Sequence, residues 1–127
     1  MSAFRTPLIY QDDGGFPVTL AAMLVYQSDL LKCALYIPLG FQTDLASIPR
    51  PLWAVLPKVG KWDAAGVVHD WLYQRNGITR QEADAVFHEA MLVKGVGPKT
   101  AALMWLGVRV GGWKPWNAYR KAEQEMV

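Results

Sequence analysis

The chain has two histidines, His69 and His88, and both fall in one stretch, Asp63 to Met91, together with Asp70 and Asp84. A histidine is the side chain whose ordinary protonation change lies near neutrality, so it is the natural general base. It works only if a partner holds its tautomer and orientation. Asp84 is the candidate partner, which makes His69 and Asp84 a candidate catalytic dyad. The same two residues have a structural reading, a core histidine held by a buried aspartate. Arg80, at i−4 from Asp84, is the ordinary helical partner for that carboxylate.

A second chemistry open to these residues is metal binding. Asp70 and Asp44 carry carboxylate oxygens, which suit calcium or magnesium with water completing the shell. His88 can join His69 and Asp84 in a zinc set of histidine and carboxylate ligands, although no H-E-x-x-H pattern is present. Each has a simpler alternative. Asp44 can cap the turn at Ala46–Ser47, and His88 can sit at the solvent edge beside Glu89. Arg50 is a candidate for an anionic group or for a nearby carboxylate. Trp113 and Trp116, around Lys114-Pro115, are candidates for exposed contact with a sugar, a lipid interface or a protein. Trp53, Trp62, Trp71 and Trp105 fall on apolar stripes and read as core.

These groups must be positioned by helices. From Trp62 to Tyr73 apolar residues recur at helical spacing: Ala65, Val68, Leu72. Asn76-Gly77 is a stop signal. Thr79 and Glu82 form a capping box for a second helix, with Ala83, Phe87, Ala90 and Met91 as its apolar stripe. A short connection makes the two helices neighbours, so His69 is expected level with Asp84. Gly95-Val96-Gly97-Pro98 breaks the chain before a third helix, about Lys99 to Val110, apolar on most sides and so central or at an interface. Gly111-Gly112 ends it.

The N-terminal third reads as β. Pro17 to Tyr26 and Leu31 to Pro38 are strand-like, with Gln27-Ser28-Asp29 as the turn between them. Pro7 to Tyr10 is a possible edge strand, and Asp12 to Gly15 a turn. Cys33 lies in the second run and reads as a buried inert thiol. Pro51 to Leu56 reads as one short helix. The expected fold is α+β: an N-terminal antiparallel β-meander of two or three strands, packed on a C-terminal three-helix half with a helical hairpin at about 62–94. One domain is expected over residues 1–127. Its β part covers about 1–40, a connector about 40–60, the helical part about 61–112 and a polar tail about 113–127, with some helical propensity from Asn117 onward.

Composition narrows the function classes. Hydrophobic residues make up 52% of the chain and charged residues 19%, a globular balance. A net charge of +2 with scattered basic residues gives no nucleic-acid footprint. A single cysteine excludes an internal disulfide and every multi-cysteine zinc motif. The start, M-S-A-F-R-T-P, lacks the apolar core of a signal peptide. No apolar run is long enough for a transmembrane segment. A protein made in a cytoplasm is expected.

Four motifs in order carry a resemblance: G-F-Q-T-D-L-A-S-I-P-R, A-A-G-V-V-H-D-W-L-Y, R-Q-E-A-D-A-V-F-H-E-A-M and V-R-V-G-G-W. Together they resemble an uncharacterised family of small phage and prophage proteins, a domain of unknown function (DUF1353-like). The resemblance implies phage or prophage origin and no particular activity. Locally, H-D-W-L-Y followed by A-D-A-V-F resembles the helix pair of phospholipases of type A-two. That resemblance implies His69 as base, Asp70 as calcium ligand, Asp84 as orienting partner and Tyr73 as a supporting hydrogen bond. The Gly-rich calcium loop of that family is absent, and T-D-L-A-S-I-P-R occupies roughly its place.

Two functions therefore stay open. One is a hydrolase of the bacterial envelope, lipid or peptidoglycan, with calcium or zinc as a candidate cofactor. The other is a non-catalytic virion or tail component, made in the host cytoplasm and built into the particle.

Overall fold

Strand-like runs precede residue 44 and helical spacing follows residue 62, and the structure divides accordingly. The computed structural model describes residues 1–11, 18–43, 63–75 and 77–125. Within them the fold is α+β, with six short strands followed by four helices. The expected turn at Asp12 to Gly15 and the short helix at Pro51 to Leu56 lie outside the described residues.

The strands form two antiparallel sheets. In one, β1 (Ala3–Phe4), β4 (Leu24–Ser28) and β5 (Cys33–Ile37) lie in the order β1-β4-β5. In the other, β2 (Tyr10–Gln11), β3 (Val18–Leu20) and β6 (Gln42–Thr43) lie in the order β2-β3-β6. The run Pro17 to Tyr26, expected as one strand, is thus split between sheets. Ala21-Ala22-Met23 has no β-branched residue to favour the extended ladder. There the backbone changes partners: Ala21 N–H donates to Ile9 O at 2.9 Å, whereas Leu24 already pairs with Ile37.

Strand β4 alternates as a half-buried strand should. Leu24, Tyr26 and Ser28 are buried, and Val25 and Gln27 lie between them half-buried. Its partner β5 is an edge strand, and Cys33 at its first residue is exposed. The expectation of a buried thiol is corrected for that reason: Cys33 pairs with Ser28 at the turn end of the hairpin, on a strand that has one neighbour among the described residues.

The helices are α1 (Asp63–Tyr73), α2 (Arg80–Val93), α3 (Pro98–Gly111) and α4 (Trp113–Glu125). Gly77, with φ of +84°, supplies the left-handed residue after α1. Thr79 caps α2 through the expected box: its hydroxyl accepts from Glu82 N–H at 3.1 Å, and Glu82 Oε1 accepts from Thr79 N–H at 3.0 Å. Those backbone and hydroxyl bonds hold the Glu82 carboxyl below its usual range. Pro98 opens α3, where its missing N–H costs nothing. The segment expected as a polar tail is a fourth helix, α4, and its Trp116 and Tyr119 pack against the core.

One cluster of buried side chains joins the halves: Leu20, Tyr26 and Ile37 from the strands meet Val68, Phe87 and Met104 from the helices. Glu89 of α2 fastens the sheet to it. Its Oε1 accepts from the Tyr26 hydroxyl at 2.6 Å and the Ser28 hydroxyl at 2.8 Å, and its Oε2 accepts from Leu30 N–H at 3.0 Å.

Burial first, and then the bond to and charge of Glu89, push the Tyr26 phenol far above its ordinary value. The folded state therefore keeps a proton that the unfolded chain releases near pH 10. Stability from this source is complete below about pH 10 and declines as pH rises beyond it. Urea unfolding at about pH 8 and about pH 11 should show a lower midpoint at the alkaline end. The drop should be smaller in Tyr26→Phe, and an equal drop in both proteins would assign the effect elsewhere.

Candidate functional site

Asp84 has no solvent exposure, and its side chain lies where α1, α2 and α3 meet. A carboxylate in such a place must be fully hydrogen-bonded. Asp84 Oδ1 lies 2.7 Å from His69 Nε2 and accepts from the Tyr73 hydroxyl at 2.6 Å, both from α1. Asp84 Oδ2 accepts from Arg109 Nη1 of α3 at 2.8 Å and lies 3.5 Å from Arg80 Nη1, one turn earlier on its own helix. Both partners expected for Asp84 lie at it, His69 on one oxygen and Arg80 near the other.

The helical period explains the geometry of α1. His69 and Tyr73 are four residues apart and share a face, so both reach the same oxygen. The imidazole is held between rings: its centroid lies 4.1 Å from that of Tyr73 and 4.7 Å from that of Phe87. His69 is 2% exposed. Burial, followed by the bond to and charge of Asp84, pushes the Tyr73 phenol above its ordinary range, so Tyr73 is a neutral donor. Because the carboxylate can only accept, its bond fixes the neutral imidazole as the Nε2–H tautomer and leaves the lone pair on Nδ1.

Two parts of the site were not legible in the motif. Arg109 was unassigned, although an arginine inside the apolar run Leu103 to Val110 is a signal, since such a charge needs a partner. Gly112 was read only as a helix stop. It is buried at the end of α3, and a Cβ there would collide with the Tyr73 hydroxyl and with Val108 O. Gly112 thus gives the Tyr73 hydroxyl its room. Arg80 completes this corner: its Nη1 donates to Val108 O at 3.2 Å and Arg109 O at 3.1 Å, covering the negative end of α3.

The remaining candidates fall elsewhere. Asp70 is buried, and its Oδ1 accepts from the Tyr119 hydroxyl of α4 at 3.0 Å. His88 lies instead on an open groove of about 630 Å³, with Leu30, Glu89, Leu92 and Trp105. Among the described residues no group of three histidine, cysteine or acidic side chains is placed to hold a metal ion. His69, Asp84 and His88 are therefore not gathered as the zinc reading requires, and the calcium reading turns on Asp44, which lies outside the described residues. Asp44 and Arg50 lie outside the described residues, as do Trp53 and Trp62. Trp113 is exposed as expected, whereas Trp116 is half-buried, its ring edge-on to Tyr73 at 5.2 Å. Arg120 covers Trp116 from outside at 3.9 Å. Trp105, expected in the core, is partly exposed, because Ala101, Met104 and Val108 form the buried stripe of α3.

The chain belongs to the family described as "Protein of unknown function (DUF1353)", whose model matches residues 18–108. It is also similar to a protein of Sinorhizobium fredii (strain NBRC 101917 / NGR234) named "Uncharacterized protein y4jT". The two are 29% identical over 93 residues, which is 71% of this chain and 27% of that relative. The chain thus spans about a quarter of the relative's length. No solved structure matches it. The matched family span contains His69, Tyr73, Arg80 and Asp84 but stops just before Arg109 and Gly112.

Removing the Asp84 carboxylate leaves His69 and Tyr73 with no acceptor and two guanidiniums with no anion. Asp84→Ala should destabilise the fold by about 2–4 kcal/mol, measured as a shift in denaturant midpoint at constant slope. A surface-like change within about 0.5 kcal/mol would show that the cluster is not formed in solution.

Proposed function

We propose that this protein is a phage- or prophage-encoded hydrolase of the bacterial cell envelope, with His69 as general base and Asp84 as the residue that orients it. The observation that carries the reading is the 2.7 Å contact between His69 Nε2 and Asp84 Oδ1, with Tyr73 on the same oxygen. It supports a base with one defined lone pair, on Nδ1. In the proposed step Nδ1 takes a proton from a water as its oxygen bonds to an ester or amide carbonyl carbon. The same proton then passes to the leaving oxygen or nitrogen as its bond to that carbon breaks. No step is assigned to a metal, because Asp70 binds Tyr119 and the described donors do not gather. The four-motif resemblance supports phage origin, and the local helix-pair resemblance supports a lipid ester over peptidoglycan. Among the described residues no helix is long and apolar enough to cross a membrane.

A second reading has its own observation. Arg80 and Arg109 already compensate the Asp84 charge, and His69 is nearly sealed. Those facts favour a non-catalytic virion or tail component in which the cluster holds three helices in register.

The two readings separate in one experiment. The purified chain is assayed on phospholipid vesicles and on peptidoglycan, with calcium, with zinc and with chelator. His69→Asn and Asp84→Asn are assayed beside it, each checked for folding. The hydrolase reading expects turnover that falls at least about a hundredfold in both folded variants. Turnover that survives His69→Asn would remove His69 from the mechanism. Absence of turnover on both substrates by the folded parent would leave the structural reading.

A further inference from the structure

The helix α3 has two unlike faces. Ala101, Met104 and Val108 are buried against the core. On the opposite side Lys99, Leu103, Leu106 and Val110 fall within an arc of about 60° at the α-helical period. All four are exposed, Leu106 at 52% and Val110 at 69%. Trp113 follows at the start of α4, 51% exposed, and Trp105 flanks the stripe. An apolar ridge of this kind on a water-soluble surface marks a contact.

The charges around the ridge identify the chemistry of the contact. Helices α3 and α4, Pro98 to Glu125, together have five Lys and Arg residues against two acidic ones, Glu123 and Glu125, both in the last turn of α4 and away in sequence from the ridge. Arg109 is spent on Asp84, and Arg120 lies on Trp116. Lys99, Lys114 and Lys121 are exposed, and Lys114 Nζ lies 5.6 Å from the centre of the Trp113 ring. A second copy of this chain is a poor occupant, since two-fold pairing through the ridge would bring the same cations together. A surface that is anionic outside and apolar beneath fits both features. Leu and Val side chains enter its hydrocarbon edge, Trp sits at the boundary, and lysine stems reach back to the charged layer.

We propose that the α3 ridge and Trp113 are a docking surface for an anionic lipid bilayer. The inference goes beyond the hydrolase reading and stands without it, since docking requires no proton transfer at His69. The ridge lies on the face of α3 turned away from the core, so binding leaves the Asp84 cluster undisturbed.

The test uses the full chain and two vesicle preparations, phosphatidylcholine alone and an equal mixture of phosphatidylcholine and phosphatidylglycerol. Co-sedimentation should be at least about tenfold stronger with the anionic vesicles and should weaken in about 0.5 M salt. Leu106→Asp with Val110→Asp should abolish binding while leaving the helical circular dichroism unchanged. Lys99→Glu with Lys114→Glu, which replaces two exposed residues, should remove the preference for anionic lipid. His69→Asn should bind as the parent does, so loss of hydrolysis and loss of docking are read separately. Equal binding to both vesicle types, or full binding by both double variants, would overturn the proposal. So would a monomer–dimer equilibrium that the Leu106/Val110 variant abolishes in the absence of vesicle binding.

Discussion

A carboxylate with no solvent exposure, Asp84, is the constraint around which the helices are arranged. It cannot be buried alone, because an isolated charge in an apolar setting costs far more than a domain's net stability. Its donors come from three helices: His69 and Tyr73 on α1, Arg80 on α2 and Arg109 on α3. Sliding any one helix by a turn would break at least one of these bonds and leave its partner buried and unmet. The cluster therefore selects a register rather than supplying a large net energy, which is the usual balance for buried ion pairs. The small residues nearby follow from it, since Gly112 must lack a Cβ for Tyr73 to reach Asp84.

Helix α2 extends the same device to the sheet. Asp84 and Glu89 are five residues apart, so they project about 140° from each other around the helix. One carboxylate binds α1 and α3, and the other binds Tyr26, Ser28 and Leu30 at the β4–β5 hairpin. A single helix thus ties both halves of the α+β fold through two acidic side chains. Tyr26 and Tyr73 play matching parts: each is a buried phenol donating to one of these carboxylates, and each is held neutral by burial and that bond.

What could be read in advance was local. The Thr79 box, the Gly77 stop and the apolar periods are signals within a few residues of one another, and they place His69 level with Asp84. Strand β3 and strand β4 could not be separated that way, because the choice between sheets depends on partners such as Ile9 and Ile37, distant in sequence. The low mean hydropathy of Trp113 to Glu125 marked a polar tail with some helical propensity and hid its packing, which rests on few apolar residues, Trp116 and Tyr119. Trp105 misled for the converse reason. An apolar residue on an apolar helix reads as buried, yet only one side of α3 has a neighbour, and periodicity cannot say which side is covered.

The two oxygens of Asp84 make its two readings compatible. Oδ2 faces Arg109 and Arg80, and Oδ1 faces His69 and Tyr73. The guanidinium side meets the cost of burying the anion, so the imidazole is not needed as the charge partner. An imidazole that donates Nε2–H to Oδ1 has its other ring nitrogen, Nδ1, as the one atom that could accept a proton in the proposed hydrolysis. An amide at position 84 would turn its single oxygen toward the guanidiniums, because its NH2 group cannot face two cationic donors. Its NH2 would then donate to Nε2 and force the proton onto Nδ1. The register device would survive in large part while the base was lost. Under the hydrolase proposal Oδ1 would both orient His69 and hold α1 in register, while Oδ2 holds α3 through Arg109.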